Sequence, residues 1–347
     1  MKNKKFVISF FLCFVLRVFS FAEAISIAAV GDIMMGSTYP KPQLPNDEGR
    51  WLFKEAEEIL KKADITFGNL EGVLCDGGTC KKDTNKKHYY AFRTPTSFGI
   101  NLKNAGFDIL NLANNHILDF GYYGLNSTNK TLNKLDIKYI DCYEGNIAVF
   151  ELIHKETTTV AFIGFYWGVC KNSLLNIEDA KTKVASLAQK YDIVVVSFHG
   201  GTEGKDAIYV KDEMEYFFKE PRGNLIKFSH SVIDAGADLV IGHGPHVPRA
   251  LELYNGKLIA YSLGNFCTYK GISVEGFCGY APLLWIELNK EGEFVSGKIY
   301  SFIQKYAKGP IYDKENRAFN LIRRLSLENF PDSLLYFTED GKIYPTK

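Results

Sequence analysis

Residues Ala105–Gly121 read AGFDILNLANNHILDFG, and the change of character at Asn114 sets the fold. The first part alternates and ends as a buried strand does. A strand that runs out into Asn114, Asn115 and His116 has left the core. It delivers two amides and an imidazole to the rim of a sheet, and in open α/β folds ligands bind at that rim.

Working outward, strands and helices alternate along the chain. ISIAAVGD (25–32), ITFGNLEG (65–72) and ILNLANNH (109–116) read as strands that end in polar residues. VAFIGFYW (160–167), DIVVVSFHG (192–200) and ADLVIGHGPH (237–246) read the same way. Helical periodicity marks 51–64, 96–108 and 125–136, the second closing near Gly106. KLIAYSLGNF, LLWIELN and FVSGKIYSFI make the last part β-rich. After about Gln304 the chain turns polar and reads as a peripheral tail. The expected class is α/β, with two mixed sheets and helices outside.

Five strand ends carry polar or ionisable groups. They are Asp32; Asn69 with Glu71; Asn114, Asn115 and His116; His199; and His243 with His246. Singly, each has an ordinary explanation, such as a helix cap or a turn. As a set, carboxylates, imidazoles and amide oxygens suit a borderline divalent metal such as Zn, Mn or Fe. Four of the seven histidines fall at these ends, a concentration that favours a metal or anion site.

The 347 residues are 46% hydrophobic and 23% charged, ample for one large core or two small ones. A net charge of +1 gives no reason to expect nucleic acid as a partner. MKNKK followed by FVISFFLCFVLRVFSF and Ala22-Glu23-Ala24 has the layout of an export signal spanning 1–24, with an uncleaved anchor as the alternative. Periplasmic or envelope localisation follows. Six cysteines remain after such cleavage, and an even number in an oxidising compartment suggests disulfides. Cys75 with Cys80 and Cys267 with Cys278 each flank a turn-rich loop, leaving Cys142 with Cys170; buried free thiols are the alternative.

The segments AVGDIMMGS, FGNLEGVL, YAFRTP, NAGFDILNLANNHILDFGYYGL, HGGTEG, GADLVIGHGPHVPRALE and IAYSLGNF stand in a specific order. Together they resemble the CapA family of poly-gamma-glutamate capsule biosynthesis proteins, over Ile25 to about Phe302. The resemblance implies a calcineurin-like metallophosphoesterase fold, an αββα sandwich, occupying 25–304 with the tail at 305–347. It also implies roles. Asp32, Asn69, Glu71, Asn115, His199 and His246 would be metal ligands. His116 would act on the substrate, oriented by Asp119. Glu203 would be a base or a supporting group. Arg93, Asn114 and His243 would bind substrate, Arg93 by a bidentate grip on carboxylate or phosphate.

The departures from the pattern narrow this. Metallophosphoesterases have Asp-x-His at the first motif, where Met34 stands here, and aspartate where Asn69 stands. These changes point to one metal position and not two. The usual His-Pro-His reads Gly244-Pro245-His246, with His243 displaced by one residue. Such a shift turns a side chain to the other face of a strand, whereas from an irregular loop His243 would still reach the site. Gly200 replaces a tryptophan, which would widen the pocket. The resemblance implies a metal-dependent hydrolase acting on an anionic polymer or phosphorylated envelope substrate, with a membrane-bound capsule synthesis complex as a possible partner. A non-catalytic polymer-binding or export subunit with a degenerate site, and a periplasmic metal-dependent phosphatase, stay open.

Overall fold

The computed structural model describes residues 24–84, 89–153, 155 and 157–346. The signal expected at 1–24 lies outside them except for Ala24. Among the described residues no helix is long and apolar enough to cross a membrane.

Two sheets face one another. The first runs β19 (Leu335–Phe337), β20 (Lys342–Pro345), β17 (Phe294–Gln304), β16 (Tyr280–Leu288), β1 (Ile25–Met34), β2 (Ile65–Leu70), β5 (Ile109–Asn111) and β6 (Lys138–Ile140). Two short strands join it, β15 (Asn265–Thr268) on β1 and β18 (Pro310–Tyr312) on β17. The second runs β13 (Leu251–Tyr254), β14 (Lys257–Ala260), β12 (Leu239–His243), β9 (Ile193–His199), β8 (Thr158–Tyr166) and β7 (Ile147–Leu152). β1, β2, β5 and β6 are mutually parallel, as are β8, β9, β12 and β14. The remaining partners are antiparallel, save β15, which pairs parallel with β1. Both sheets are therefore mixed, as the sequence reading expects.

Side-chain alternation builds three layers. Ile25, Ile27 and Ala29 of β1 face the second sheet, with Ile193 and Val195 of β9 and Leu239 and Ile241 of β12 opposite. Ala28 and Val30 point the other way, onto α1 (Glu57–Leu60), α2 (Gly99–Ala105) and α3 (Gly121–Lys134). Val194 and Val196 point outward onto α4 (Ile177–Ala188) and α5 (Leu225–Asp234). This is an αββα sandwich. Gly106 ends α2 in the left-handed region, at φ +94°. The helical periodicity of 51–64 yields only the short α1. Its first turns close by i→i+3 bonds such as Lys54 N to Trp51 O and Ala56 N to Phe53 O.

Residues 305–346 are not a peripheral tail. β18, β19 and β20 extend the first sheet. α6 (Arg317–Asn329) sets Phe319 and Ile322 into the layer between the sheets, with the Phe319 ring 6.4 Å from that of Phe337. The polar composition hid an amphipathic helix, whose buried face carries Phe319, Leu321, Ile322 and Leu325.

The six cysteines of the described chain are free thiols, so the expected disulfides are not formed. The Cys75 thiol donates to Gly77 O and that of Cys80 to Lys82 O, which closes the loop without a bridge. Cys267 packs in the layer under α1–α3, whereas Cys278 sits in a separate cluster with α6. Cys142 and Cys170 do meet, as a hydrogen-bonded thiol pair beside Tyr166, and burial pushes the Cys142 thiol up.

Since α6 completes the inter-sheet layer, Phe319→Ala should lower unfolding free energy by about 3–5 kcal/mol. Urea denaturation followed by circular dichroism measures it. A change within about 0.5 kcal/mol is what a loosely attached segment would give.

Candidate metal centre

The alternation that builds the inner layer also builds the site. Continuing inward from Ile193, Val195 and Ser197 brings His199 to the end of β9. Leu239 and Ile241 bring His243 inward from β12, paired directly with His199. Ile65 and Phe67 bring Asn69 inward, and Ile109 brings Asn111. Asp32 stands at an irregularity of β1, opposite Asn69 on one side and Asn265 on the other. The C-terminal ends of both parallel strand sets thus empty into one place. His243 is not turned away by its displacement, because its own strand parity carries it inward. Its ring is wholly buried, with Nδ1 3.5 Å from Asp32 Oδ1. It sits against Asp32 beside the cluster and is absent from the pocket wall.

Asp32, Glu71 and His246 each offer a donor atom within 4.8 Å of the others, a group able to hold a metal ion. His246 reaches it from a left-handed backbone, φ +59°, and its Nδ1 lies 2.9 Å from Asp32 Oδ2. Around Glu71 Oε1 three imidazole nitrogens converge: His246 Nε2 at 3.5 Å, His116 Nε2 at 3.7 Å and His199 Nε2 at 3.7 Å. Donors about 2.1 Å from a tetrahedral ion stand about 3.4 Å apart, so this spacing fits one. The polar inventory agrees. Glu71 Oε1, Asn115 Oδ1 and both ring nitrogens of His199 and His243 are buried without hydrogen-bond partners. Each such group costs about 1–3 kcal/mol unless something satisfies it.

Electrostatics within the bare cluster are opposed. Burial works against the Asp32 charge, yet His243 and His246 alongside hold its carboxyl far below the usual range. Burial raises the Glu71 carboxyl well above its usual range. Burial also disfavours the His246 cation, but Glu71 and Asp32 overcome it and raise its pKa to about 10. Burial holds His199 well below the usual imidazole range. His246 thus gains from both carboxyl groups, while burial opposes charge on Glu71.

Asn69 is not placed as a ligand. The Asn111 Oδ1 accepts from Ala113 N at 3.1 Å, and Asn114 Oδ1 accepts from His116 N at 3.0 Å. These backbone donors fix both amides, so Asn111 Nδ2 and Asn114 Nδ2 donate to Asn69 Oδ1 at 2.9 and 3.1 Å. The Asn69 NH2 must then face the carboxylates, and it donates to Asp32 Oδ1 at 2.8 Å and Glu71 Oε2 at 3.4 Å. It orients ligands instead of being one. Asn114 is likewise corrected: its amide is spent on Asn69, Leu70 O and His116 N, and it is wholly buried away from substrate.

A pocket of about 410 Å³ opens over the cluster, with Asn115, His116, Glu203 and His246 in its wall. His116 Nδ1 lies 2.8 Å from Asp119 Oδ2, which also accepts from Phe92 N. Lys82 Nζ also lies 3.1 Å from this Nδ1, so an acceptor-only carboxylate and a donor-only ammonium meet the same ring nitrogen, while Nε2 faces Glu71 Oε1. Burial and then the nearby Lys82 charge lower the His116 pKa, with Asp119 opposing. Arg93 does not reach the pocket. Its Nε donates to Thr38 Oγ1 at 2.8 Å and its guanidinium lies 5.1 Å from the Phe120 ring centre.

The arginine beside the site is Arg222, at the end of a hairpin made by β10 (Glu215–Phe217) and β11 (Glu220–Gly223). It donates to Glu203 Oε1 at 2.6 Å and Glu220 Oε2 at 2.9 Å, and lies 3.9 Å from the Trp167 ring centre. Lys82, Asn111, Trp167, Arg222 and Asn265 were missed from sequence. Inward parity at 109 and 111 was the available signal for Asn111; the others depend on distant chain crossings.

The loop carrying Glu203 is pinned by a buried pair. Arg249 holds Glu215 through Nη1 and Nη2 at 2.8 and 2.9 Å, and donates to Ala207 O and Thr202 O. Gly200 does not widen the pocket. A Cβ there would lie 2.7 Å from Arg222 O and from Leu174 Cδ2. Gly244, at φ +117°, has the same constraint, since its Cβ would lie 2.6 Å from Gly200 O.

The family model for the bacterial capsule synthesis protein PGA_cap matches residues 26–270. The chain belongs to this family. It is 28% identical over 258 residues to the capsule biosynthesis protein CapA of Bacillus anthracis, covering 72% of this chain and 61% of that one. It is 28% identical over 334 residues to the PGA biosynthesis protein CapA of Bacillus subtilis, covering 92% and 82%. A solved 5'-nucleotidase precursor from Thermus thermophilus aligns with TM-score 0.42 and 11% identity, covering 81% and 54%. The chain thus spans under two thirds of the first of these relatives and of the solved structure.

His199→Ala should weaken divalent-metal binding by about tenfold or more, because even supporting groups of metal ligands are worth that much. Calorimetric titration with Mn²⁺ or Zn²⁺ measures it, and unchanged affinity would remove His199 from the cluster. Arg249→Ala should cost about 3–5 kcal/mol of stability, since it strands the buried Glu215 carboxylate; thermal and urea unfolding report it.

Proposed function

We propose that this chain is an exported, metal-dependent hydrolase that acts on an envelope polymer or its precursor at a phosphoester or amide bond. The observation that carries this reading is the set of buried donors left without partners around Glu71 Oε1, directly beneath a pocket. A purely structural core would have paired or replaced them.

Asp32, Glu71, His199 and His246, with His243 and Asn115 beside them, would hold one divalent ion. When bound, such an ion polarises an oxygen of the scissile group and brings a water towards a pKa near ~7. Asn69 keeps both carboxylates facing the cluster. His116 handles the proton: its Nε2 lone pair can take one from the attacking water and return it to the leaving group. Asp119 orients the ring, and Lys82, 2.7 Å from Asp119 Oδ1 and 3.1 Å from His116 Nδ1, sits against both. Met34 supports a single ion. It stands at the Asp-x-His position, wholly out of the cluster, with its sulfur accepting from Gly36 N. The basic and apolar start of the chain supports export, and family membership supports the envelope polymer.

His116→Ala should keep metal content within error of the parent and reduce turnover by about 10²–10⁴. The test is elemental analysis of the purified protein, with a screen of phosphoester and γ-glutamyl amide substrates. A parent that binds no divalent ion would replace this reading with a polymer-binding subunit.

A further inference from the structure

We propose that the outer face between α2 and α3 carries a second binding site, a groove that holds an extended polymer with carboxylates about one helical turn apart and leads it to the pocket over the cluster. This rests on the envelope-polymer part of the proposed function, but not on metal or turnover.

The groove has a volume of about 490 Å³. One wall is α3, whose sequence GYYGLNSTNKTLNK contains no aspartate or glutamate. The other is the turn Thr96–Phe98 with the start of α2. Lys130 and Lys134 stand one turn apart on α3, both exposed, and among the described residues neither ammonium has a carboxylate partner. The carboxylate beside the wall, Asp76, is turned onto Thr96: Oδ1 accepts from Thr96 N at 2.9 Å and Oδ2 from Thr96 Oγ1 at 2.5 Å.

The neutral groups suit an amide backbone. Thr96 and Thr131 donate their hydroxyls to Asp76 and to Ser127 O, so each presents a lone pair to an incoming N–H. The Ser97 and Ser127 hydroxyls have no partner among the described residues and can donate to a carbonyl. Ile100 and Leu135 add apolar surface. The walls are already in contact, since a Cβ on Gly99 would lie 2.9 Å from Leu135 Cδ1 and from Thr131 Cγ2.

Spacing selects the linkage. Four residues of helix rise about 6 Å, which separates Lys130 from Lys134. A glutamyl chain joined through its α-carboxyl crosses three backbone bonds per residue and repeats every ~3.6 Å when extended. Joined through the γ-carboxyl it crosses five bonds, and by the same measure repeats every ~6 Å. Its carboxylates then meet the two lysines one for one, and the methylenes that lengthen its backbone meet Ile100 and Leu135. The groove is joined to the site by α3 itself, which begins two residues past Asp119 and reaches Ser127 about 9 Å further on. Lys81 lies against that beginning, its Cε 3.2 Å from where a Cβ on Gly121 would be, and it precedes Lys82 of the pocket wall. Lys81 is exposed and has no ion-pair partner among the described residues, so a line of cations runs from the pocket to Lys134.

The test is fluorescence anisotropy with labelled deca-γ-glutamate, tri-γ-glutamate and deca-α-glutamate on the full chain, freed of metal by dialysis so that the cluster holds no ion. The γ-decamer should bind at least fivefold more tightly than the trimer and at least threefold more tightly than the α-decamer. Lys130→Gln with Lys134→Gln should weaken the γ-decamer at least threefold, the scale of two exposed ion pairs. Charge reversal, Lys130→Glu with Lys134→Glu, should weaken it at least tenfold. These side chains are exposed, so circular dichroism and divalent-metal affinity should match the parent. Unchanged γ-decamer affinity in the charge-reversed protein, equal binding of the two decamers, or no decamer binding overturns the proposal. A chain that binds the γ-decamer through these lysines yet cleaves no phosphoester or amide would sink the hydrolase reading and leave this one standing; turnover without any lysine dependence would do the reverse.

Discussion

Two carboxylates, Asp32 and Glu71, sit side by side with no exposure to water, and the molecule is arranged around neutralising them. Like charges so close raise one another's free energy, and burial removes the solvent that would screen them. The inner faces of two sheets answer this by aiming His199, His243 and His246 at the pair, while Asn69 donates to both. Sheet register, the irregularity at Asp32 and the left-handed backbone of His246 all serve that convergence. The geometry exists only while the two sheets are packed, so the inter-sheet layer, including α6, is part of the site.

Much of this was readable from the sequence. Strand ends can be located by where apolar alternation stops, and that placed Asp32, Glu71, His116, His199 and His246 together. Alternation also contained the answer for His243. Counting 239, 241, 243 puts it on the same face as Leu239, whereas comparison with a displaced motif suggested the opposite face. The identity of Asn69 was readable and its orientation was not, because the direction of its amide is set by two other amides, 42 and 45 residues away, that are set in turn by backbone N–H groups.

Other misses share a cause: they depend on which distant segments cross. Arg93 and Arg222 are equally plausible anion binders by type. Only the β10–β11 hairpin brings one to the pocket, while Thr38 and Phe120 retain the other. Cysteines 75 and 80 are near in sequence, yet each thiol finds a carbonyl two residues on. The C-terminal segment looked solvent-loving because half of α6 faces water; its remaining face closes the sandwich.

Gly200 and Gly244 depart from the usual pattern at two separate places in the sequence, yet they meet in space. Gly200 N donates to His243 O at 2.9 Å, and the backbone of 200 occupies the space that a side chain on 244 would need. Arg222 O and Leu174 close the other side. A bulky side chain at either position would meet backbone, so admitting one demands a new course for the chain between the strand that ends at His199 and the hairpin that follows: the two positions can change only together.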